Sequence, residues 1–510
     1  MAEPQGFLKL PRELRDQIYE DYFTLEDGYH YNHKTNKLLK AKAEVIDLDL
    51  RLACRQVAAE TRGLALKLNT INFSTVCDEN FCQRAGRFNA IQIIINQLKA
   101  KYLLWHAPWT GLIDSAICDY VEKYHSAFLP TIQTMQCFGR NGIGRNVDEW
   151  KEIPSQTRHF IASTLEAIAA KPDFEDAVSR DRHWKGSAYT PSPDPVPVVA
   201  YSHPPWMFPS EDDISDMLEL IEPVPVKASR SKPWLYWDQE QYRFSAATAA
   251  IRFLESMPAE TRLAMRNLVL HEDHESVAWP ECHGQGLIPF CQENSDLHIE
   301  RRISLWRTIL PAASISLCEL QSQTLEDVQQ WKYDRLTAQM ISQGYMGDNG
   351  AAAWIMEALA LASLGMPAGA FSLVIDGMPT PETSAQVFNV LQRDAAWQSA
   401  YQQCVKAPDS QSCQLNWIMI RENAAFIMRG FPEALQEICS GKSLVRCNFD
   451  TGYAHDVDQI VAQGRTWTLR EWRQNWHSTG QLQADIHTMA PLPSWLEIRQ
   501  EKLLGRTGSD

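Results

Sequence analysis

Ten prolines, the first Pro191 and the last Pro233, fall within residues 187–233. Proline fixes φ and lacks the N–H that a helix interior or a central strand needs, so neither element can run unbroken through this stretch. Its opening, YTPSPDPVPVV, favours extended polyproline geometry, with room for a short helix over 212–221. The chain is therefore read as two parts. A proline-rich linker or ordered surface loop over 187–234, favoured over a PxxP partner site, separates an N-terminal half from a helix-rich domain with short strands over 235–510.

Hydrophobic periodicity fills in both halves. Leu14, Ile18 and Tyr22 recur at i, i+4 and i+8, widened by Tyr19 and Phe23, with Arg12, Glu13, Arg15, Asp16, Glu20 and Asp21 opposite. This predicts an amphipathic helix with one face to bury, and Pro11 suits its start, where a missing N–H costs no bond. Leu50, Ala53, Val57, Thr61, Leu64 and Leu68 predict a second helix over 50–68, with Cys54 beside its stripe. Ile71 and Phe73 alternate in a short strand over 69–75. Helices are expected over 88–104, 114–128 (stopped by Pro130) and 150–170. In the second half they are expected over 245–256, 298–310 (Ile303 and Trp306 inward), 325–342, 351–364, 385–404, 417–428 and 468–476. Strands are expected over 266–271, 315–320 and 371–375, and a loop over 280–293. The fold class is α+β, predominantly helical with a few short strands. The phrases RNLVLHED, SISLCEL and FSLVIDG resemble one another, but their spacing is irregular and carries no asparagine ladder, so no repeat is assigned.

With 510 residues, 45% hydrophobic and 22% charged, the chain has apolar material for one large core or several smaller ones. A net charge of −15 argues against a nonspecific binder of nucleic acid or of anionic membrane, both of which select basic surfaces. The opening MAEPQGF has no apolar segment of a secretory signal, and the longest apolar run, over 351–366, is interrupted by Glu357 and too short to span a bilayer. Twelve scattered cysteines then read as reduced thiols, placing the protein in the cytoplasm or nucleus.

The densest polar cluster is His271-Glu272-Asp273-His274-Glu275, followed by Glu281-Cys282-His283. Imidazole, thiolate and carboxylate suit zinc, and His271, His274, Cys282 and His283 are the weak candidates, but their spacing matches no known site, and no metal or cofactor is assigned. Glu272 and Asp273 are too close in sequence to face one reaction centre together. Cys404, Cys413, Cys439 and Cys447 are spaced too widely for zinc knuckles. The glycine-rich basic loop of Gly139, Arg140, Gly142, Gly144 and Arg145 lacks the Lys-Ser/Thr pair of a phosphate-binding P-loop. Trp472, Trp476 and Trp495, near the C-terminal tail, are candidates for an exposed recognition surface.

The run Leu10-Pro11-Arg12-Glu13-Leu14-Arg15-Asp16-Gln17-Ile18-Tyr19 resembles the start of an F-box. More closely it resembles the fungal F-box-like proteins that begin LPRELRDxIY and carry "CRQ...E.R" on a second helix, here Cys54-Arg55-Gln56 with Glu60 and Arg62. Gly286-Leu287-Ile288-Pro289-Phe290-Cys291 is similar to a further phrase of that family. The resemblance implies an F-box-like helical region over 1–75 and a helical extension over 76–186. It implies that Leu10, Pro11, Leu14, Ile18 and Tyr22 face the adaptor of a cullin–RING ubiquitin ligase, while the rest of the chain holds a protein client and does no covalent chemistry. The polar, turn-rich residues 24–44 depart from a compact F-box. Two alternatives stand beside this reading. One is a scaffold or accessory protein of a fungal pathway, such as a secondary-metabolite pathway, with the Leu14–Ile18–Tyr22 stripe buried. The other is an enzyme whose pocket gathers His271, His274 and Cys282.

Overall fold

The structure, a computed structural model, describes residues 6–41, 44–138, 147–180, 184, 186–187, 190–191, 193–222, 241–312, 344–345, 348–406, 421, 425–481 and 488–501. The glycine-rich loop at 139–146 and the expected elements at 315–320 and 325–342 lie outside the described residues, as does most of 417–428.

Seven short strands form the central sheet: β1 (Tyr29–Asn32), β2 (Lys37–Leu39), β3 (Thr70–Ser74), β4 (Asn267–Glu272), β5 (His298–Ser304), β6 (Phe371–Asp376) and β7 (Val445–Cys447). Their order is β7-β6-β5-β4-β3-β1-β2. The β1–β2 hairpin is antiparallel and the other pairs are parallel. From β1 to β7 the spatial order follows the chain without reversal among the parallel strands. Among the described strands there is thus no switch point of the kind that opens a ligand crevice in doubly wound sheets. Side chains alternate across the pleat. Ile71, Phe73, Leu268, Leu270, Ile299, Ile303, Phe371, Leu373, Ile375 and Val445 share one face and one core. The opposite face carries polar side chains, among them Asn72, His271, Glu300, Arg302 and Arg446.

The helices before β4 include α1 (Arg12–Phe23), α2 (Arg55–Glu60), α3 (Leu64–Leu68), α4 (Glu79–Lys101), α5 (Ser115–Tyr124), α6 (Leu129–Phe138), α7 (Pro154–Ala169), α8 (Phe174–Arg180), α9 (Pro195–Ala200), α10 (Glu211–Leu220) and α11 (Ala246–Ser256). After β5 come α12 (Ala351–Ala360), α13 (Pro381–Lys406) and α14 (Leu469–Gln481). The class is therefore α+β and predominantly helical. Helix α11, capped by Ser245, lies on the apolar face of β3 and β4. Helices α5 to α9 build a second core around Trp150, Phe160 and Trp184.

Several expectations are corrected. Residues 298–310 begin as the strand β5, not as a helix. Ile299, Arg301 and Ile303 alternate inward, and a buried arginine disguises that alternation in the sequence. The predicted helix over 50–68 is broken into a short 3-10 turn, α2 and α3: extended Cys54 separates the turn from α2, and Gly63, left-handed at φ +72°, precedes α3. Pro130 starts a helix instead of stopping one: it is the second residue of α6, where its missing N–H has no partner to lose. Residues 280–293 are helical, a 3-10 turn followed by Ile288–Glu293.

The division at 187–234 is also revised. β3 pairs with β4 along its length, from Thr70 opposite Asn267 to Ser74 opposite His271. Residues 1–75 and 235–510 therefore share one sheet. Within the proline-rich segment Pro195 and Pro197 occupy the first turn of α9 behind the cap Asp194, and Val198 and Val199 are buried. The short helix expected over 212–221 is α10, whose start Ser210 and Asp213 close with a capping box.

Two buried carboxylates hold helix starts from a distance. Glu272 on β4 accepts from the Ala246 and Ala247 amides of α11 at 3.0 and 3.1 Å and from Arg301 Nη2 at 2.7 Å. Glu357 on α12 accepts from the Ser155 amide at 2.7 Å and the Ser155 hydroxyl at 2.6 Å, supplying the cap that Ile153 cannot give α7.

Candidate functional site

Helix α1 turns out to have two apolar faces. Tyr19 and Phe23 are buried and pack with Val57, Leu50, Leu64 and Leu68. Leu14, Ile18 and Tyr22 are 45, 42 and 38% exposed. The expected apolar face is thus divided: Tyr19 and Phe23 are buried together with Arg15, while Leu14, Ile18 and Tyr22 face solvent.

The division has a polar cause. Arg15 is buried and grips Glu60 of α2, Nη2 to Oε1 at 2.7 Å and Nε to Oε2 at 3.1 Å. Its Nη1 donates to the Leu10 carbonyl at 2.6 Å. The Tyr19 hydroxyl and the Gln56 amide also donate to Glu60, at 2.7 and 2.9 Å. These donors, Arg15 first, hold the Glu60 carboxyl down to about 2. Arg15 of the first signature and Gln56 and Glu60 of the second are therefore partners in one network joining α1 to α2. The Cys54 thiol adds the cap of α2, 3.5 Å from the Val57 amide. Buried Asn69 closes the unit, donating to the carbonyls of Phe23 at 2.6 Å and Ala65 at 2.8 Å and accepting from the Leu25 amide at 2.8 Å. The departing residues 24–44 supply the β1–β2 hairpin at the sheet edge, so the helices before and after them still meet.

Leu10 is half-buried and Pro11 exposed at the start of α1. The segment over 45–52 lies beside Tyr22, whose hydroxyl meets the Asp47 carboxylate. It adds Val45, Leu48 and Leu52, exposed by 80, 36 and 82%. These three were not singled out in the sequence, where they sit outside any helical stripe. Scattered exposed apolar residues need no explanation, but Leu14, Ile18 and Tyr22, at i, i+4 and i+8, form one row along the helix.

The weak metal candidates are not brought together. His271, on the polar face of β4, has Nε2 3.2 Å from Asn72 Oδ1. His274 lies 3.4 Å from Asp273 and 3.4 Å from Arg307. His283 points the other way, with Nε2 2.7 Å from the Ala278 carbonyl and Nδ1 2.8 Å from the Ser245 hydroxyl. Burial pushes its pKa down to about 3, so it is a neutral structural histidine. The Ser245–His283 contact was not legible in the sequence. Both residues are fully buried. Burial raises the Cys282 thiol well above its usual range, the reverse of an activated nucleophile. Among the described residues no three His, Cys, Asp or Glu side chains are grouped to hold a metal. Asp273 and Glu272 also part, Asp273 bonding to Thr75 and Glu272 turning into the core.

The expected tryptophan surface is likewise absent, since Trp472, Trp476 and Trp495 are all buried. The described cysteines are free thiols; Cys413 lies outside the described residues. No described helix is long and apolar enough to cross a membrane. No protein-family model, no curated protein and no solved structure matches the chain.

Proposed function

We propose that this chain is a protein–protein interaction module of F-box type, docking on the adaptor of a cullin–RING ubiquitin ligase through the outer face of α1. The observation that carries the reading is the exposure of Leu14, Ile18 and Tyr22 on a helix whose opposite side is fully packed. A rigid helix with an apolar outer row suits helix-in-groove or helix-on-helix recognition. Leu10 and Pro11 begin the docking surface, and the Arg15–Glu60 network holds the helix in place, so little ordering is left for the binding step. The sheet and its helices serve as the frame that holds a protein client near the ligase. The scaffold alternative called for the same stripe to be buried, and its exposure favours docking.

Direct binding to a purified adaptor by calorimetry tests this, comparing wild type with the Leu14→Asp, Ile18→Asp double variant. Binding that disappears in the folded variant supports the proposal. A folded wild-type protein that does not bind the adaptor refutes it.

A further inference from the structure

Away from α1, a cavity of about 370 Å³ opens between α4, α7, residues 201–206 and the turn at 279–285. Its size lies within the range of small-molecule sites. Two cations line it. Arg158 of α7 lies over the Trp279 ring at 4.4 Å, and one of its terminal nitrogens is buried with no hydrogen-bond partner among the described residues. Lys99 of α4 is 7% exposed and donates to the Tyr201 carbonyl at 2.6 Å, leaving two ammonium hydrogens unused. The carboxylates of Glu281 and Glu357 act on Arg158 from the core side, and that of Glu166 acts on Lys99. Burial lowers the Lys99 pKa, with rim-exposed Glu166 opposing the shift. The Arg158 nitrogen left without a hydrogen bond is unfavourable when buried, and an incoming acceptor relieves that cost.

Aromatic surfaces complete the walls. Trp206 and Trp279 line the cavity, and Tyr201 stacks on His203 with ring centroids 4.8 Å apart. Trp279 is held there against its backbone preference. Ala278 and Trp279 have φ of +59° and +58°, a conformation that side-chain-bearing residues rarely adopt. The turn is locked from both sides. Asn89 accepts from the Ala278 amide at 2.9 Å, and His283 bonds to the Ala278 carbonyl. Strain sustained by a surrounding network is concentrated at functional sites. Gly286 contributes by absence, because a Cβ there would lie 2.4 Å from Trp206.

We infer that this cavity binds a small aromatic carboxylate, its anionic group between Arg158 and Lys99 and its ring against Trp206 and Trp279. A guanidinium nitrogen without a partner suits a carboxylate oxygen, and the indole faces suit a flat apolar body. The site does not depend on adaptor docking, since it lies on other elements.

The test is calorimetric titration of the full chain with benzoate, benzamide and inorganic phosphate, on wild type and on Arg158→Gln and Ala162→Phe. Ala162 lines the cavity without a charge, so its variant fills space and leaves both cations in place. The expected result is that benzoate binds wild type about tenfold or more tightly than uncharged benzamide, and that each folded variant weakens benzoate about tenfold. Equal binding of benzoate and benzamide overturns the inference. So does the absence of benzoate binding to folded wild type, benzoate binding unchanged in both variants, or tighter binding of phosphate than of benzoate.

Discussion

Two arginine–glutamate pairs sit in very different settings. Arg301–Glu272 lies under the centre of the sheet, with side chains 1 and 0% exposed, and Arg301 also reaches the Pro280 carbonyl at 2.7 Å and the Trp354 ring at 4.8 Å. Arg15–Glu60 lies at the border of the small N-terminal cluster, with both side chains 9% exposed. The first pair is embedded in a core that runs from Tyr29 to Ile498. The second ties a unit whose buried apolar members are Tyr19, Phe23 and Val57. So small a cluster cannot hold three short helices by apolar burial alone, and directional polar contacts make up the difference. Those contacts spend one face of α1 and leave the other free for a partner.

Breaking the central pair carries the largest expected effect. Arg301→Met leaves Glu272 charged and buried with only the α11 amides, and a loss of about 3–5 kcal/mol in urea unfolding is expected. Asn69→Ala removes three bonds at the junction of the two regions and strands the Phe23 and Ala65 carbonyls. A loss of about 2–3 kcal/mol is expected from the same measurement. Gly63→Ala strains a left-handed position and brings a Cβ to 3.0 Å from Ala264. A cost of about 1–2 kcal/mol is expected, with faster hydrogen exchange in α2 and α3 than in β4 to β6.

Acid sharpens the comparison further. The folded Glu60 pKa, about 2, lies below its unfolded value, so its contribution to stability is complete above the unfolded glutamate pKa and is lost as pH falls through the folded one. Between about pH 4.3 and pH 2, exchange of the α1 amides should rise ahead of those in the sheet. Equal exchange in both regions would count against a separately held N-terminal unit. The smallest expected effect on stability is that of Leu14→Asp with Ile18→Asp, within about 0.5 kcal/mol, because both positions face solvent. A much larger loss would mean that the outer face of α1 is packed in solution and unavailable for docking.

The elements whose periodicity is carried by apolar side chains were legible: α1, α11, α12, β3, β4 and β6 all fall near their expected places. Those that failed did so where a charged or special residue changed the meaning of the pattern. Arg301 hid a strand inside an apparent helix. Prolines that looked like breakers became first-turn residues in α6 and α9. The helix α1 was correctly located, but the burial of Arg15 was missed, because it counts as polar in any pattern yet is buried by its bond to a residue 45 positions away.

Local chemistry determined where α1 begins, that the chain is α+β, and that cysteine, histidine and carboxylate near residue 280 lack the spacing of a metal site. These follow from backbone sterics and from periods of two or 3.6 residues, which act over a few positions. Tertiary structure alone decided which face of α1 meets solvent, and that residues 70–74 pair with 267–271. It also decided that His283 supports the Trp279 turn. Each of these turns on a hydrogen bond or burial between residues distant in the chain, and the stability of such a contact is set by partners that no local window contains.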